Sequence, residues 1–257
     1  MMTVDPGASP PVVFIAQLGT GGASWKSVID LLTTNPTTVV YDRPGTGDAP
    51  PRPAPNPALP YSVFADELAA QLDEHGVSGR VVVVGHSVGS LIARVFASRH
   101  IGRIAGLVYV DGSIPRLSLW PAGPTRQSAD GDGAEATHFD LAAGEIEVVE
   151  AVTPSAPIAV VTRTPGRWSD GWLDRYPEAD PLWTAYQRQL ARHSQAPLVV
   201  AKDAGHQVPR EAPALVAHVV DAIVTAVRQG QRWRPHLAAL AAVAGTLDPE
   251  VPAIPGQ

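Results

Sequence analysis

The stretch Val81-Val82-Val83-Val84-Gly85-His86-Ser87-Val88-Gly89-Ser90-Leu91-Ile92-Ala93-Arg94-Val95-Phe96-Ala97 decides the fold. A run of valines drives into Gly85-His86-Ser87-Val88-Gly89, and a helical pattern begins at once. Strand, sharp turn and helix, with serine at the apex, is the context in which G-x-S-x-G forms a nucleophile elbow. Such a turn forces its central residue into a strained backbone region and brings strand and helix close together, so Gly85 and Gly89 stand where side chains would clash. Ser87 is expected to hold its hydroxyl above the end of a sheet, next to the first amides of the helix, where negative charge is stabilised.

Outward from the elbow, short apolar runs alternate with helical patterns, the signature of βαβ units and a mostly parallel sheet flanked by helices. Strands are expected at Pro11–Ala16, Thr37–Asp42, Ile104–Ser113 with its end in the carboxylate of Asp111, Pro157–Thr162 and Pro197–Ala201, the last being read as the final strand. Helices are expected at Ser24–Leu32, Ser62–Glu74, Leu182–His193 and Ala212–Arg228. In the last of these, Leu215, Val216, Val219, Val220, Ile223, Val224 and Val227 form one apolar face. Residues 114–155 lose the strand rhythm and become rich in Gly, Asp, Pro and Ala, which suggests a small cap or flap insertion. Residues 231–257 read as a C-terminal extension with one alanine-rich helical patch at Pro235–Ala244.

A chain of 257 residues, 45% hydrophobic, can bury a substantial core, and residues 1–257 are read as a single α/β domain. Its 19 Lys and Arg against 25 Asp and Glu leave a net charge of -6, which argues against nucleic acid and points to a small-molecule partner. With no cysteine, disulfides, thiolate metal ligands and a cysteine nucleophile are excluded. No apolar run is long enough to span a bilayer, and the opening Met1–Gly7 carries neither a basic nor an apolar leader pattern, so a cytoplasmic protein is expected. Gly19, Gly21 and Gly22 follow a strand, but G-x-G-x-x-G spacing fails and no acidic ribose partner appears. No metal-ligand pattern is present either, so no metal or cofactor is expected.

Serine is a weak nucleophile and needs a positioned base. Among the 8 histidines, His206 in Ala204-Gly205-His206 follows a predicted strand on a loop before the last long helix. In a parallel sheet that loop lies at the same carboxyl edge as the elbow. His86 is adjacent to the nucleophile, but its side chain should point away from Ser87 and pack the elbow.

At these residues the chain resembles the α/β-hydrolase superfamily, from about Pro11 to Arg228. Asp42-Arg43-Pro44-Gly45-Thr46-Gly47 is similar to its D-R-x-G-x-G segment, and Ser87 and Ala204-Gly205-His206 to its nucleophile and base motifs. The resemblance implies a triad in the order serine, acid, histidine. Many members carry the acid just after the strand corresponding to Pro157–Thr162, but here Arg163-Thr164-Pro165-Gly166-Arg167-Trp168 follows and no carboxylate comes before Asp170. A subset, including some haloalkane dehalogenases, carries it at the end of the strand after the elbow helix, and Asp111 matches that position. Asp111 is favoured over Asp170 because a strand end is stiffer than a tryptophan-bearing loop.

The resemblance also implies an oxyanion hole from the amide after the nucleophile, Val88, and one from the loop Ala16-Gln17-Leu18-Gly19-Thr20-Gly21-Gly22, with Leu18 the donor. Most relatives carry His-Gly where this chain has Ala16-Gln17, and Gln17 is read either as a substrate contact or as a loop brace. Trp120 and Phe139, with Trp168 or Trp172, are the candidate pocket-lining aromatics. The expected protein is a serine hydrolase acting on a small to medium, mainly apolar ester, thioester or lactone. Three alternatives stay open: an acyltransferase or thioesterase using the same triad, a cofactor-free lyase or oxygenase on this fold, and a ligand-binding relative with little turnover.

Overall fold

The structure, a computed structural model, describes residues 10–53, 57–115, 138–168 and 178–251. Seven strands form one sheet: β1 (Val12–Ile15), β2 (Thr38–Tyr41), β3 (Val81–His86), β4 (Ile104–Val110), β5 (Ile158–Thr162), β6 (Leu198–Ala201) and β7 (Gly245–Leu247). Their order across the sheet is β2-β1-β3-β4-β5-β6-β7. Every neighbouring pair is parallel except β6 with β7. The helices are α1 (Lys26–Ile29), α2 (Tyr61–Glu74), α3 (Val88–Arg99), α4 (Leu141–Glu150), α5 (Ala179–His193), α6 (Val208–Glu211), α7 (Pro213–Gln229) and α8 (Leu237–Ala242).

The valine-rich strands read as unbroken apolar runs because both faces of the sheet are covered. Val13, Ile15, Val81, Val83, Leu107, Tyr109, Val160 and Leu198 face one core with Phe64, Leu68, Ile92 and Phe96 of α2 and α3. The alternate residues Val12, Phe14, Val82, Val84, Val108, Val110, Val161 and Val199 face the other, with Val28 of α1 and Leu215, Val219, Val220 and Ile223 of α7. The two-residue period of a strand thus sorts one sequence into two cores.

Two expectations need correcting. The helix expected at Ser24–Leu32 is a 3-10 turn, Gly22–Trp25, followed by the single α-turn of α1. Leu31 and Leu32 donate to carbonyls three residues back, because the chain is bending toward Thr33 and Thr34, whose amides and hydroxyls bind Asp221 on α7. Pro197–Ala201 is not the final strand: β7 adds antiparallel to β6 and leaves only three residues from which to read a pattern. Within residues 114–155, read as a cap or flap insertion, α4 packs on α2 and α3 and is capped by Asp140 accepting from the Ala143 amide at 3.0 Å. Residues 116–137 of that segment lie outside the described residues. No helix among the described residues is long and apolar enough to cross a membrane.

Candidate active site

Ser87 sits between the end of β3 and the first residue of α3 with φ 53° and ψ -122°, a conformation that favours glycine and that only tight surroundings sustain. Those surroundings are explicit. A Cβ at Gly85 would run into the Gly89 carbonyl, and one at Gly89 into the Ile15 carbonyl. The Ser90 hydroxyl ties back to the Gly85 carbonyl at 2.7 Å, and the Ser87 amide donates to the Val110 carbonyl at 3.1 Å. Val88 opens α3, so its N–H is one of the orphan donors of a helix start.

His206 lies on the loop between β6 and α6, at the carboxyl edge where the elbow also ends. Its Nε2 is 3.1 Å from Ser87 Oγ and its Nδ1 is 2.7 Å from Asp111 Oδ2. The Gly205 amide donates to Glu211 at 2.7 Å, which fixes the approach to the imidazole. Three aromatic neighbours hold the ring. Trp168 stacks on it nearly parallel, at 5.1 Å and 6°, Trp183 meets it edge-on at 5.3 Å, and His86 lies 5.0 Å away.

Asp111 follows β4 with φ 40° and is completely buried. Oδ1 accepts from the Thr162 hydroxyl at 2.8 Å, the Arg163 amide at 3.2 Å and Trp183 Nε1 at 3.0 Å, while Oδ2 takes His206 and lies 3.8 Å from Arg163 Nε. Burial pushes this carboxyl up. The hydrogen bond from His206, the charges of His206 and Arg163, and the Thr162 hydroxyl outweigh it, and the group is held below its ordinary value of 3.8. An ionised Asp111 requires the proton on His206 Nδ1, leaving Nε2 free to accept from Ser87.

His86 packs edge-on against Trp25 at 6.2 Å, consistent with elbow packing, but it has a second duty. Its Nε2 is 2.8 Å from the His206 carbonyl oxygen, so that nitrogen must be the donor and His86 anchors the backbone of the base. Burial first, then the neighbouring His206, pushes its pKa down from 6.5 to about 3, against smaller upward effects of that hydrogen bond and of Asp111.

The loop at Ala16–Gly22 is clamped from beneath by the buried Arg43, whose guanidinium donates to the Ala16 and Gln17 carbonyls at 2.7 Å each. In a trans peptide the carbonyl and N–H point oppositely, so holding the Gln17 carbonyl turns the Leu18 N–H away from Arg43. Asp42 accepts from the Gly22 amide at 2.5 Å and secures the other end of the loop. The side-chain amide of Gln17 exchanges two hydrogen bonds, 2.9 and 3.1 Å, with that of Gln207, the residue after His206.

The structure therefore brings Ser87, His206, Asp111 and the Gln17 loop together. It does not bring Phe139 to them as a pocket wall. That residue is 2% exposed and packs on Tyr61 and Phe64 of α2, where its bridge to Leu59 fastens the approach to α4. Trp120, Asp170 and Trp172 lie outside the described residues. Sequence reading missed Trp183, Thr162 and Ser113. Ser113 Oγ is 3.1 Å from Ser87 Oγ, and its amide donates to the Ser87 carbonyl at 3.1 Å. Only Ser113, two residues beyond Asp111 at the same strand end, carried a positional signal.

An elbow serine, a loop histidine and a strand-end aspartate thus meet at one edge of a mostly parallel, helix-flanked sheet. A family model described as the alpha/beta hydrolase fold matches residues 10–132. Among solved structures, a thermophilic esterase from Thermogutta terrifontis superposes with a TM-score of 0.60 at 21% identity, covering 86% of this chain and 92% of that one. A haloalkane dehalogenase loop variant from Bradyrhizobium elkanii gives 0.62 at 14% identity, covering 86% and 91%. The putative carbamate hydrolase RutD of Klebsiella pneumoniae is 37% identical over 108 residues, 42% of this chain and 39% of that protein. The matched stretches span from 16% to 41% of the lengths of such curated relatives. The chain has the α/β-hydrolase fold, as its sequence resemblance implied.

Proposed function

We propose that the chain is a serine hydrolase that cleaves a small to medium, mainly apolar carboxylic ester, thioester or lactone through an acyl-enzyme. The observation that carries this reading is the continuous line from Ser87 Oγ through His206, 3.1 Å, to the buried Asp111, 2.7 Å. Ser87 Oγ attacks the carbonyl carbon as its proton passes to His206 Nε2. The tetrahedral oxyanion is held by the Val88 and Leu18 amides. Collapse breaks the bond to the leaving group, which takes the proton from His206. Water then adds to the acyl carbon, gives a proton to His206, and Ser87 leaves with that proton restored.

The ionised Asp111 stabilises the imidazolium formed in each half-reaction and keeps Nδ1 protonated throughout. Fold-level likeness to an esterase supports a carboxylic ester, and the RutD match adds carbamates to the carbonyl compounds worth screening, since the same attack applies to them. Replacing water by an alcohol or thiol acceptor would make the same machinery an acyltransferase.

Incubation with a fluorophosphonate probe followed by intact-mass measurement tests the reading. One adduct on the native protein, none on Ser87→Ala, and labelling slowed by about a thousandfold in His206→Ala are expected. Folded native protein that takes no adduct would overturn the proposal in favour of a binding or non-covalent role.

A further inference from the structure

Among the described residues Ser87 Oγ has two hydrogen-bond partners, and the proposed triad uses only one of them. The second is the Ser113 hydroxyl at 3.1 Å. The number of protons fixes its direction. Asp111 holds the Nδ1 proton of His206, so Nε2 accepts the single proton of Ser87. The contact with Ser113 therefore runs the other way, with Ser113 donating to a lone pair on Ser87 Oγ. The Ser113 backbone is itself fixed, since its amide donates to the Ser87 carbonyl at 3.1 Å. Gly112, between Asp111 and Ser113, has its carbonyl held by the buried Gln187 at 2.7 Å, and a Cβ there would press on the Ser90 side chain at 3.0 Å.

We infer that Ser113 is a further catalytic residue whose hydroxyl favours departure of Ser87 from the acyl-enzyme, so that it serves deacylation more than acylation. This rests on the serine-hydrolase reading above. In the acyl-enzyme, Oγ is an ester oxygen whose lone pairs are drawn into the carbonyl, and it accepts hydrogen bonds weakly. As water adds and the C–Oγ bond breaks, electron density returns to Oγ, and the bond from Ser113 strengthens while His206 delivers its proton. In acylation Oγ already accepts from Ser113 in the free enzyme, so the gain on reaching the transition state is small. Only interactions stronger in the transition state than in the preceding ground state accelerate a step. The Ser113 proton stays on Ser113 in both half-reactions.

The test is pre-steady-state hydrolysis of p-nitrophenyl acetate by the native protein, Ser113→Ala and Ser113→Thr. The alanine variant should acylate within about threefold of native, yet turn over about tenfold more slowly, which is the effect of one hydrogen bond to a group gaining charge. Its p-nitrophenolate burst should approach one per site, and its intact mass should show a trapped acetyl group. Ser113→Thr, which keeps a hydroxyl, should restore turnover. A burst and steady state both unchanged in Ser113→Ala, or both lowered by one common factor, would overturn this inference alone, provided the native protein takes the fluorophosphonate. A native protein that neither takes that probe nor releases p-nitrophenolate would overturn the hydrolase reading as well.

Discussion

Asp111 is saturated on one side and committed on the other. Three donors fix Oδ1, so Oδ2 can face only His206 and Arg163. A carboxamide at this position would keep the shape but not the logic. With Thr162, the Arg163 amide and Trp183 still demanding an acceptor at Oδ1, the amide nitrogen of Asp111→Asn would be left facing His206 Nδ1. That pairing puts the imidazole proton on Nε2, where it can no longer receive one from Ser87. Turnover of p-nitrophenyl acetate should fall by about 10³- to 10⁴-fold in Asp111→Asn. Asp170→Asn should leave it within about twofold, and steady-state kinetics of both variants would decide between the two carboxylates that the sequence left open. A loss confined to Asp170→Asn would transfer the role of acid to that loop.

At the scale of elements, catalysis as proposed depends on two loops from opposite ends of the chain, residues 16–22 and 204–207. Arg43 holds the first from below, and the Gln17–Gln207 exchange ties it to the second. If that tie sets the spacing between the Leu18 amide and His206, then Gln17→Met and Gln207→Met should not add. A double-mutant cycle on kcat/KM should show a coupling of about 0.5–2 kcal/mol, each single change costing nearly as much as both together. Strict additivity would mean that the loops are held independently. The same tie shows what a sequence can and cannot disclose. Strands β1, β3, β4 and β5 were legible because apolar runs buried on both faces leave a strong local signal, β2 by its β-branched run at the sheet edge, and the elbow because its glycines answer a steric demand within five residues. The site's support was not legible, since Gln17 meets Gln207 across 190 positions and Trp183 reaches Asp111 across 72. Nor was β7, whose three residues are strand only because the exposed edge of β6 pairs with them.

In the molecule as a whole, the core on the α1 side of the sheet meets the site at a buried titratable group. His86 ends the central strand β3, rests on Trp25 from the α1 side, and donates to the carbonyl of His206. Its folded pKa is about 3 against 6.5 for an exposed histidine. Above pH 6.5 it is neutral in both folded and unfolded chains and contributes nothing to pH dependence. Between about pH 6.5 and pH 3 the unfolded chain binds a proton that the folded one refuses, so stability must fall as pH falls, by at most about 1.4 kcal/mol per pH unit from this group. Asp111 is shifted in the same sense and acts in the same direction at lower pH. Its depressed pKa contributes stability above 3.8 that is lost as pH drops through the folded value. His86→Gln retains a neutral donor toward His206 and removes the titration. Urea denaturation of the two proteins from pH 7 to pH 4 should therefore give a steep loss of stability in the native chain and a markedly shallower one in the variant. Parallel curves would mean that His86 titrates alike in the folded and unfolded chains, and that the tie to His206 survives its protonation.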